Sequence, residues 1–138
     1  MLKTLSILGS TGSIGVNALE VISNLENCFK VKYLSTYKNV DLLVSQIKKH
    51  KPKAVAVVDE TAAKKIKGTL DAMGIKLLTG RVGLLDLSQR NDLDLMLNGL
   101  VGASGMQPTI NAIKAGVNVA LANKESLVMA GNIINKEL

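Results

Sequence analysis

The sequence predicts an α/β fold with a doubly wound parallel sheet. Short apolar runs alternate with longer amphipathic segments along the whole chain, and such alternation is typical of a parallel sheet with helices on both faces. The chain has 138 residues, of which 47% are hydrophobic and 20% charged, so it is long enough to bury the core of one domain. A glycine-rich stretch directly behind the first apolar run indicates where such a fold would bind a ligand.

The order of strands and helices follows from the spacing of apolar residues. "TLSIL" at residues 4–8 is apolar enough to be a strand buried on both faces, and "FKVKYLST" alternates with period two. The predicted strands cover residues 4–8, 29–36, 53–58, 75–80, 93–97 and 117–123. The predicted helices cover residues 13–25, 39–50, 59–74, 81–89 and 106–116, and a further helix begins at residue 124. Asn39 is the predicted N-cap of the second helix, and Gly74 and Gly116 are predicted to follow helix ends.

The glycine-rich stretch is "ILGSTGSIG", which joins the first predicted strand to the first predicted helix. In the dinucleotide-binding turn, one glycine makes the tight bend, one lets the pyrophosphate approach the backbone, and one lets helix and strand pack closely. We assign these roles in order to Gly9, Gly12 and Gly15. The helix N-terminus would offer unpaired N–H groups to the phosphates. Hydroxyl donors are also expected there from Ser10, Thr11 and Ser13.

Two alternatives to a dinucleotide-binding turn exist. The spacing is G-x-x-G-x-x-G and not G-x-G-x-x-G, so the match depends on its position between a strand and a helix. A triphosphate-binding loop requires a lysine after its last glycine, and none follows Gly12 or Gly15, which argues against a nucleoside triphosphatase. A glycine-rich turn that binds no ligand remains open.

The end of the second predicted strand favours NADP over NAD. NAD-binding domains usually place an acidic residue there to hold the ribose 2′-hydroxyl. The chain instead reads "LSTYKN", with Ser35 and Thr36 followed by Tyr37, Lys38 and Asn39. A cation and an amide suit a 2′-phosphate, which a carboxylate would repel.

Two more polar segments follow predicted strands. "NGLVGASG", which contains Gly102, comes after the fifth strand, and "ALANKESLV" ends the sixth with Asn123, Lys124 and Glu125. Ligands in open α/β sheets bind at the carboxyl edge of the strands. We therefore expect both segments to face the ligand.

Composition limits the class of protein. The net charge is +6, but the chain has only three aromatic residues and two arginines, so it lacks the stacking and bidentate groups of a nucleic-acid binder. No apolar run approaches the length of a membrane span, and the N-terminus does not resemble a signal peptide. The single cysteine, Cys28, fits a reducing cytoplasm. The lone His50 lies among lysines, and no cluster with metal-ligand spacing occurs.

The motifs "LGSTGSIG", "YKN", "LVGASGMQPT" and above all "ALANKESLV" closely resemble the N-terminal region of the 1-deoxy-D-xylulose 5-phosphate reductoisomerase family. The resemblance extends over essentially the whole chain. It implies an NADPH-dependent enzyme of the non-mevalonate isoprenoid pathway, which rearranges its phosphosugar substrate and reduces the aldehyde intermediate to 2-C-methyl-D-erythritol 4-phosphate. A cytoplasmic homodimer is expected, or a plastid-type location after processing.

The resemblance, applied residue by residue, implies which residues form part of the cofactor site. It implies that Lys124 reaches the substrate. With the glycines assigned above, the predicted cofactor-binding residues are Gly9, Thr11, Gly12, Ser13, Ile14, Gly15, Tyr37, Lys38, Asn39, Gly102, Asn123 and Glu125. Two departures from the family pattern occur: Tyr37 stands where many members have glycine and is a candidate to stack on adenine, and "GASGM" replaces the commoner "GAAGL".

Several features of the family are expected only after Leu138. These are the acidic motif that binds Mg²⁺ or Mn²⁺, the substrate loop and the C-terminal helical domain. Residues 1–138 are therefore interpreted as an NADPH-binding domain with no catalytic or metal-ligating residue of its own. Another NADP-linked dehydrogenase, such as a semialdehyde or homoserine dehydrogenase relative, and a stand-alone nucleotide-sensing module are the alternatives.

Overall fold

The core of the molecule is a sheet of six parallel strands. The computed structural model describes residues 2–25, 27–100 and 102–121. The strands are β1 (Lys3–Leu8), β2 (Phe29–Thr36), β3 (Ala54–Val57), β4 (Lys76–Thr79), β5 (Leu95–Asn98) and β6 (Asn118–Leu121). Their order in the sheet is β4-β3-β2-β1-β5-β6, and every neighbouring pair is parallel. The predicted α/β class with a parallel sheet is confirmed.

Helices cover both faces of the sheet. They are α1 (Ser13–Asn24), α2 (Val40–His50), α3 (Glu60–Met73), α4 (Gly80–Ser88) and α5 (Met106–Lys114), with a short 3-10 helix at Gly102–Gly105. One hydrophobic cluster joins the sheet to α1, α2 and α3 through Leu19, Leu43 and Leu70. A second cluster joins the opposite face to α4 and α5 through Leu84 and Ala112. The two clusters are the two interior layers of a doubly wound fold.

The helix ends follow the predicted signals. The Asn39 side chain accepts a hydrogen bond from the Leu42 amide at 3.3 Å, as an N-cap does. Gly74 and Gly116 adopt positive φ values of 73° and 82°, the first directly after α3 and the second two residues after α5. A glycine takes that conformation without the steric penalty of a Cβ.

A bulge in β2 interrupts the alternation predicted for "FKVKYLST". Leu5 of β1 pairs with Val31, but the next residue, Ser6, pairs with Tyr33, so Lys32 is an extra residue. Val31 consequently packs in the cluster beneath α1 to α3, whereas Tyr33 packs on the opposite face. The strand was predicted correctly, but its regular period was not, because a one-residue insertion exchanges the two faces.

The order in which successive strands are added to the sheet turns back beside β1. From β1 the chain proceeds outward through β2, β3 and β4, and it then returns to place β5 on the other side of β1. Such a point opens a crevice at the carboxyl ends of the flanking strands, where ligands of open α/β sheets bind. Within the described residues, no helix is long and apolar enough to cross a membrane.

Candidate functional site

A cavity of about 460 Å³ lies at the carboxyl ends of β1, β2 and β5. Its size is within the range of small-molecule sites. The glycine-rich turn after β1 forms one wall, and the segments that follow β2, β3, β4 and β5 form the others. The lining residues are Gly9, Thr11, Gly12, Ser35, Thr36, Tyr37, Val58, Arg81, Leu84, Gly99, Leu100 and Ser104.

Gly9 makes the tight turn that the sequence predicts. Its φ is +74°, and a Cβ built on it would lie 3.1 Å from the carbonyl carbon and oxygen of Gly99. Both the conformation and the close approach of the loop after β5 therefore require glycine. The Gly9 amide donates to Ser35 Oγ at 2.9 Å, which ties the turn to the end of β2.

Gly12 and Gly15 have different structural roles. A Cβ on Gly15 would lie 2.4 Å from the Gly9 carbonyl oxygen, so this buried glycine allows α1 to pack against the turn and does not line the cavity. A Cβ on Gly12 would meet only that same oxygen, at 3.5 Å, and Gly12 borders the cavity. The empty space at Gly12 is therefore available to a ligand.

The N-terminus of α1 is left without an internal cap. Its N-cap residue is Gly12, which provides no side chain, and no acidic residue occupies the first turn. By contrast, α2 has Asn39 as a capping side chain and Asp41 in its first turn. The first amides of α1, near the exposed Ser13 and Ile14, thus combine unpaired donors with the positive end of the helix dipole. An anion at this position would satisfy both.

Ser10 corrects one prediction about the turn. It is fully buried, and its hydroxyl donates to Gln46 Oε1 at 2.8 Å and lies 3.1 Å from the Ser35 carbonyl oxygen. Gln46 Nε2 donates back to the Ser10 carbonyl at 2.8 Å. The hydroxyl is thus used inside the protein, where it fixes the turn to α2, and it is not directed at a phosphate as expected.

Thr11 lies at the cavity wall. Its Oγ1 is 2.6 Å from Thr36 Oγ1, at the end of β2. This hydrogen bond connects the glycine-rich turn with the end of β2, so both sides of the cavity are held in one arrangement.

Tyr37, Lys38 and Asn39 form the exposed segment between β2 and α2. Tyr37 is 65% exposed and borders the cavity. Asn39 Oδ1 is occupied by the capping hydrogen bond to Leu42, which leaves the amide nitrogen as the donor end of this side chain. Lys38 lies beside them in sequence and is exposed, but it is not among the residues that line the cavity.

Asn98 organises the second glycine-rich turn and was not predicted. It is fully buried at the end of β5, where its Nδ2 donates to the Gly105 carbonyl and lies 2.7 Å from Thr109 Oγ1. Its Oδ1 accepts from the Leu100 amide at 3.1 Å. Gly102 has a φ of +72° at the start of the 3-10 helix, and it is not among the lining residues, whereas Gly99 is.

Arg81 is the other residue that sequence reasoning missed. It follows β4 by two residues, and its Nη1 donates to the Ser104 carbonyl at 3.0 Å, across the mouth of the cavity. The rule that ligands bind at the carboxyl edge would have included it, but the sequence alone does not show that β4 ends near this cavity.

A separate polar cluster around Asp92 lies on the side of the sheet away from the carboxyl ends of the strands. The Tyr33 hydroxyl donates to Asp92 at 2.8 Å, and Lys32 Nζ lies 2.9 Å from the same carboxylate. Burial raises the pKa of Tyr33, and its hydrogen bond to Asp92 raises it further. Burial alone would raise the pKa of Asp92, but hydrogen bonds from Lys32 and Tyr33 hold it below its usual value. The lone His50 is partly buried, which lowers its pKa, and Lys49 lowers it further.

Comparison with known proteins decides the family. The sequence model of 1-deoxy-D-xylulose 5-phosphate reductoisomerase matches residues 5–131. The chain belongs to the 1-deoxy-D-xylulose 5-phosphate reductoisomerase family. The member from Chloroherpeton thalassium is 44% identical over 133 residues, which cover 96% of this chain and 34% of that relative. Membership in this family rules out the semialdehyde and homoserine dehydrogenase alternatives.

Solved reductoisomerase structures share the fold described above. The enzyme from Zymomonas mobilis in complex with NADPH superposes with a TM-score of 0.90 and 31% identity, over 99% of this chain and 36% of that one. A reductoisomerase in complex with magnesium gives a TM-score of 0.90 and 32% identity, over 99% of this chain and 34% of that one. The chain thus spans about a third of the length of the reductoisomerases that it matches.

Part of the predicted site lies outside the described residues. This applies to Asn123, Lys124 and Glu125 and to the helix predicted from residue 124. Among the residues that are described, no three His, Cys, Asp or Glu side chains are grouped so that they could hold a metal ion. The described part of the chain therefore offers a candidate dinucleotide site and no candidate metal site.

Proposed function

We propose that residues 1–138 are the NADPH-binding domain of an enzyme that converts 1-deoxy-D-xylulose 5-phosphate into 2-C-methyl-D-erythritol 4-phosphate. One observation carries the proposal for this chain: the uncapped N-terminus of α1 meets the space beside Gly12 at the edge of the 460 Å³ cavity. An anionic, elongated ligand suits that arrangement. Family membership and the NADPH complex of the Zymomonas mobilis enzyme support NADPH as that ligand.

The pyrophosphate end of the cofactor belongs at the turn after β1. Thr11, Gly12, Ser13 and Ile14 contact it in our proposal, with the backbone amides of the first turn of α1 as donors. Gly9 and Gly15 act indirectly, because they permit the bend and the close packing that present these amides. Ser10 holds the turn in place through Gln46.

The 2′-phosphate of the adenosine belongs beside the segment after β2. Lys38 and the amide nitrogen of Asn39 are the proposed donors, and β2 ends without a carboxylate that would oppose them. Charge-assisted hydrogen bonds to such a phosphate contribute about 1.5–3 kcal/mol. At 1.4 kcal/mol per decade, this corresponds to a roughly 10- to 100-fold preference for NADPH over NADH.

The remaining functions belong to residues outside the described part of the chain. Asn123 and Glu125 complete the cofactor site, and Lys124 reaches the phosphosugar. When bound, NADPH supplies the hydride that reduces the aldehyde intermediate. By resemblance to the family, we assign the Mg²⁺ or Mn²⁺ of the complete enzyme to residues outside the described part of the chain. We place the complete enzyme in the cytoplasm as a homodimer.

Titration of the chain with NADPH and with NADH by calorimetry tests the cofactor assignment. We expect the affinity for NADPH to exceed the affinity for NADH by roughly 10- to 100-fold. Lys38→Ala should remove this gap between the two affinities by lowering the affinity for NADPH. Raised salt should narrow the gap in the unmodified chain. Lys48→Ala is the matched control, because it removes the same charge from an exposed position of α2. Equal affinities, or a gap that does not depend on Lys38, would refute the assignment.

A further inference from the structure

The lining of the cavity combines polar and apolar groups. The glycine-rich turn and the hydroxyls of Thr11 and Thr36 provide the polar groups. Val58, Leu84 and Leu100, from the segments after β3, from α4 and from the segment after β5, provide apolar walls. A flat heteroaromatic ring buries its faces well against such walls, whereas a phosphate does not.

Two planar side chains stand beside these apolar walls. Tyr37 follows β2, Arg81 follows β4, and both border the cavity. The hydrogen bond from Arg81 Nη1 to the Ser104 carbonyl, at 3.0 Å, connects the segment after β4 to the segment after β5. A guanidinium that is already anchored at one nitrogen loses less conformational freedom when a ligand stacks on its face.

We propose that Arg81 is a cofactor-binding residue that stacks its guanidinium plane on the adenine ring, with Tyr37 bordering the same pocket. This inference rests on the proposed function, because it identifies how the same cavity holds the adenine. Arginine planes stack on bases and aromatic rings. The other arginine of this chain makes such a contact, since Arg90 lies 5.7 Å from the centre of the Tyr33 ring.

Carboxylates lie on one side of Arg81. Arg81 borders an adjoining cavity that contains Asp59 and Glu60, and Glu60 Oε1 lies 3.7 Å from the position that a Cβ on Gly80 would occupy. Tyr37 borders the same adjoining cavity, and its carbonyl accepts a hydrogen bond from the Asp59 amide at 2.8 Å. These carboxylates therefore lie beside both segments, and the comparison of NADPH with NADH decides whether Arg81 contacts the base or the phosphate.

The experiment compares three ligands and three variants of the 138-residue chain by calorimetric titration. The ligands are NADPH, NADH and AMP, which share adenosine but differ in the 2′-phosphate and the nicotinamide. The variants are Arg81→Ala, Arg81→Lys, which keeps the charge and a donor but not the plane, and Val82→Ala as the neighbouring control, whose side chain is 80% exposed.

We expect Arg81→Ala to lower the affinity for all three ligands by the same factor, about 3- to 30-fold. This range corresponds to the free energies of cation–π contacts. Arg81→Lys should not restore the loss, and Val82→Ala should bind like the unmodified chain. The ratio of NADPH to NADH affinity should stay unchanged in Arg81→Ala, in contrast to Lys38→Ala.

Three results would overturn the assignment of Arg81. The first is unchanged affinity in Arg81→Ala while the unmodified chain binds NADPH, which leaves the proposed function intact. The second is a loss confined to NADPH, which would make Arg81 a phosphate ligand. The third is full rescue by Arg81→Lys, which would show that the charge or the donor, and not the guanidinium plane, accounts for the effect. If the unmodified chain binds none of the three ligands, the proposed function fails as well.

Discussion

Ser10 and Gln46 exchange two hydrogen bonds of 2.8 Å, one from the Ser10 hydroxyl to Gln46 Oε1 and one from Gln46 Nε2 to the Ser10 carbonyl. Both residues are buried. The pair joins the glycine-rich turn to the middle of α2, 36 residues further along the chain. The conformation of the turn therefore depends on a helix that does not itself line the cavity.

Replacing Gln46 with alanine should destabilise the chain and weaken the site together. The Ser10 carbonyl would lose its side-chain partner inside the protein, and an unsatisfied buried polar group costs about 1–3 kcal/mol. Urea unfolding should show a loss of this size in the free energy of unfolding. Gln107→Ala is the matched control, because Gln107 makes its hydrogen bond to Asn111 on an exposed face of α5. An equal effect of both substitutions would contradict the role of the Ser10–Gln46 pair.

Alanine at Gly15 and at Gly68 should change stability in opposite directions. Both glycines are inside helices, but a Cβ on Gly15 would lie 2.4–2.7 Å from backbone atoms of Gly9 and Ser10, whereas one on Gly68 would meet nothing within 4 Å. Gly15→Ala should therefore cost about 3 kcal/mol. Gly68→Ala should gain about 0.5–1 kcal/mol, because alanine favours the helix. Chemical unfolding of both variants measures the difference, and a tolerated Gly15→Ala would mean that the turn is not packed as described.

Removal of the Asp92 charge should lower stability at neutral pH and have less effect in acid. The pKa of Asp92 is lower in the folded chain than in the unfolded chain, where it is near 4. Its contribution is therefore complete above pH 4 and is lost as the pH falls through the lower, folded value. Melting temperatures of Asp92→Asn and the unmodified chain should differ at pH 7 and converge in acid. Asp71→Asn, which removes a carboxylate from the exposed side of α3, is the matched control. A difference in melting temperature between Asp92→Asn and the unmodified chain that stays constant with pH would contradict the stabilising role of the Asp92 cluster.

The 138-residue chain should not catalyse the reaction by itself. It spans about a third of the reductoisomerases that it matches, and its described residues hold no candidate metal site, although metal ions act directly in chemistry of this kind. Incubation with 1-deoxy-D-xylulose 5-phosphate, NADPH and Mg²⁺ should leave the absorbance of the reduced nicotinamide constant. Steady oxidation of NADPH that depends on the phosphosugar would disprove this expectation.

The strands, the helices and the shape of the turn were accessible from the sequence because they depend on local signals. Apolar spacing placed the strands, and the steric demands of Gly9 and Gly15 followed from the position of the glycines between a strand and a helix. The bulge at Lys32 was not accessible, because period-two spacing does not show where a residue is inserted. The same limit applies to Ser10, whose partner Gln46 is remote in sequence.

The residues that line the cavity were only partly predictable for a related reason. Gly9, Thr11, Gly12 and Tyr37 lie in segments whose motifs could be recognised in the sequence, and all four border the cavity. Arg81 lies in a segment without a motif, and it borders the cavity through its hydrogen bond to the Ser104 carbonyl in the segment after β5. A contact between segments that are distant in sequence leaves no local signal.

Binding of NADPH to the unmodified chain and to Gly12→Val shows whether the pyrophosphate lies beside Gly12. The backbone of Gly12 is extended, with φ −77° and ψ 171°, a conformation that valine adopts readily. The valine should therefore cost only about 1 kcal/mol through a poorer N-cap, while its side chain fills the space assigned to the pyrophosphate. Calorimetry should detect NADPH binding to the unmodified chain and to Gly68→Ala, and none to Gly12→Val with preserved helical circular dichroism. Undiminished binding of NADPH by a folded Gly12→Val would mean that the pyrophosphate does not lie beside Gly12.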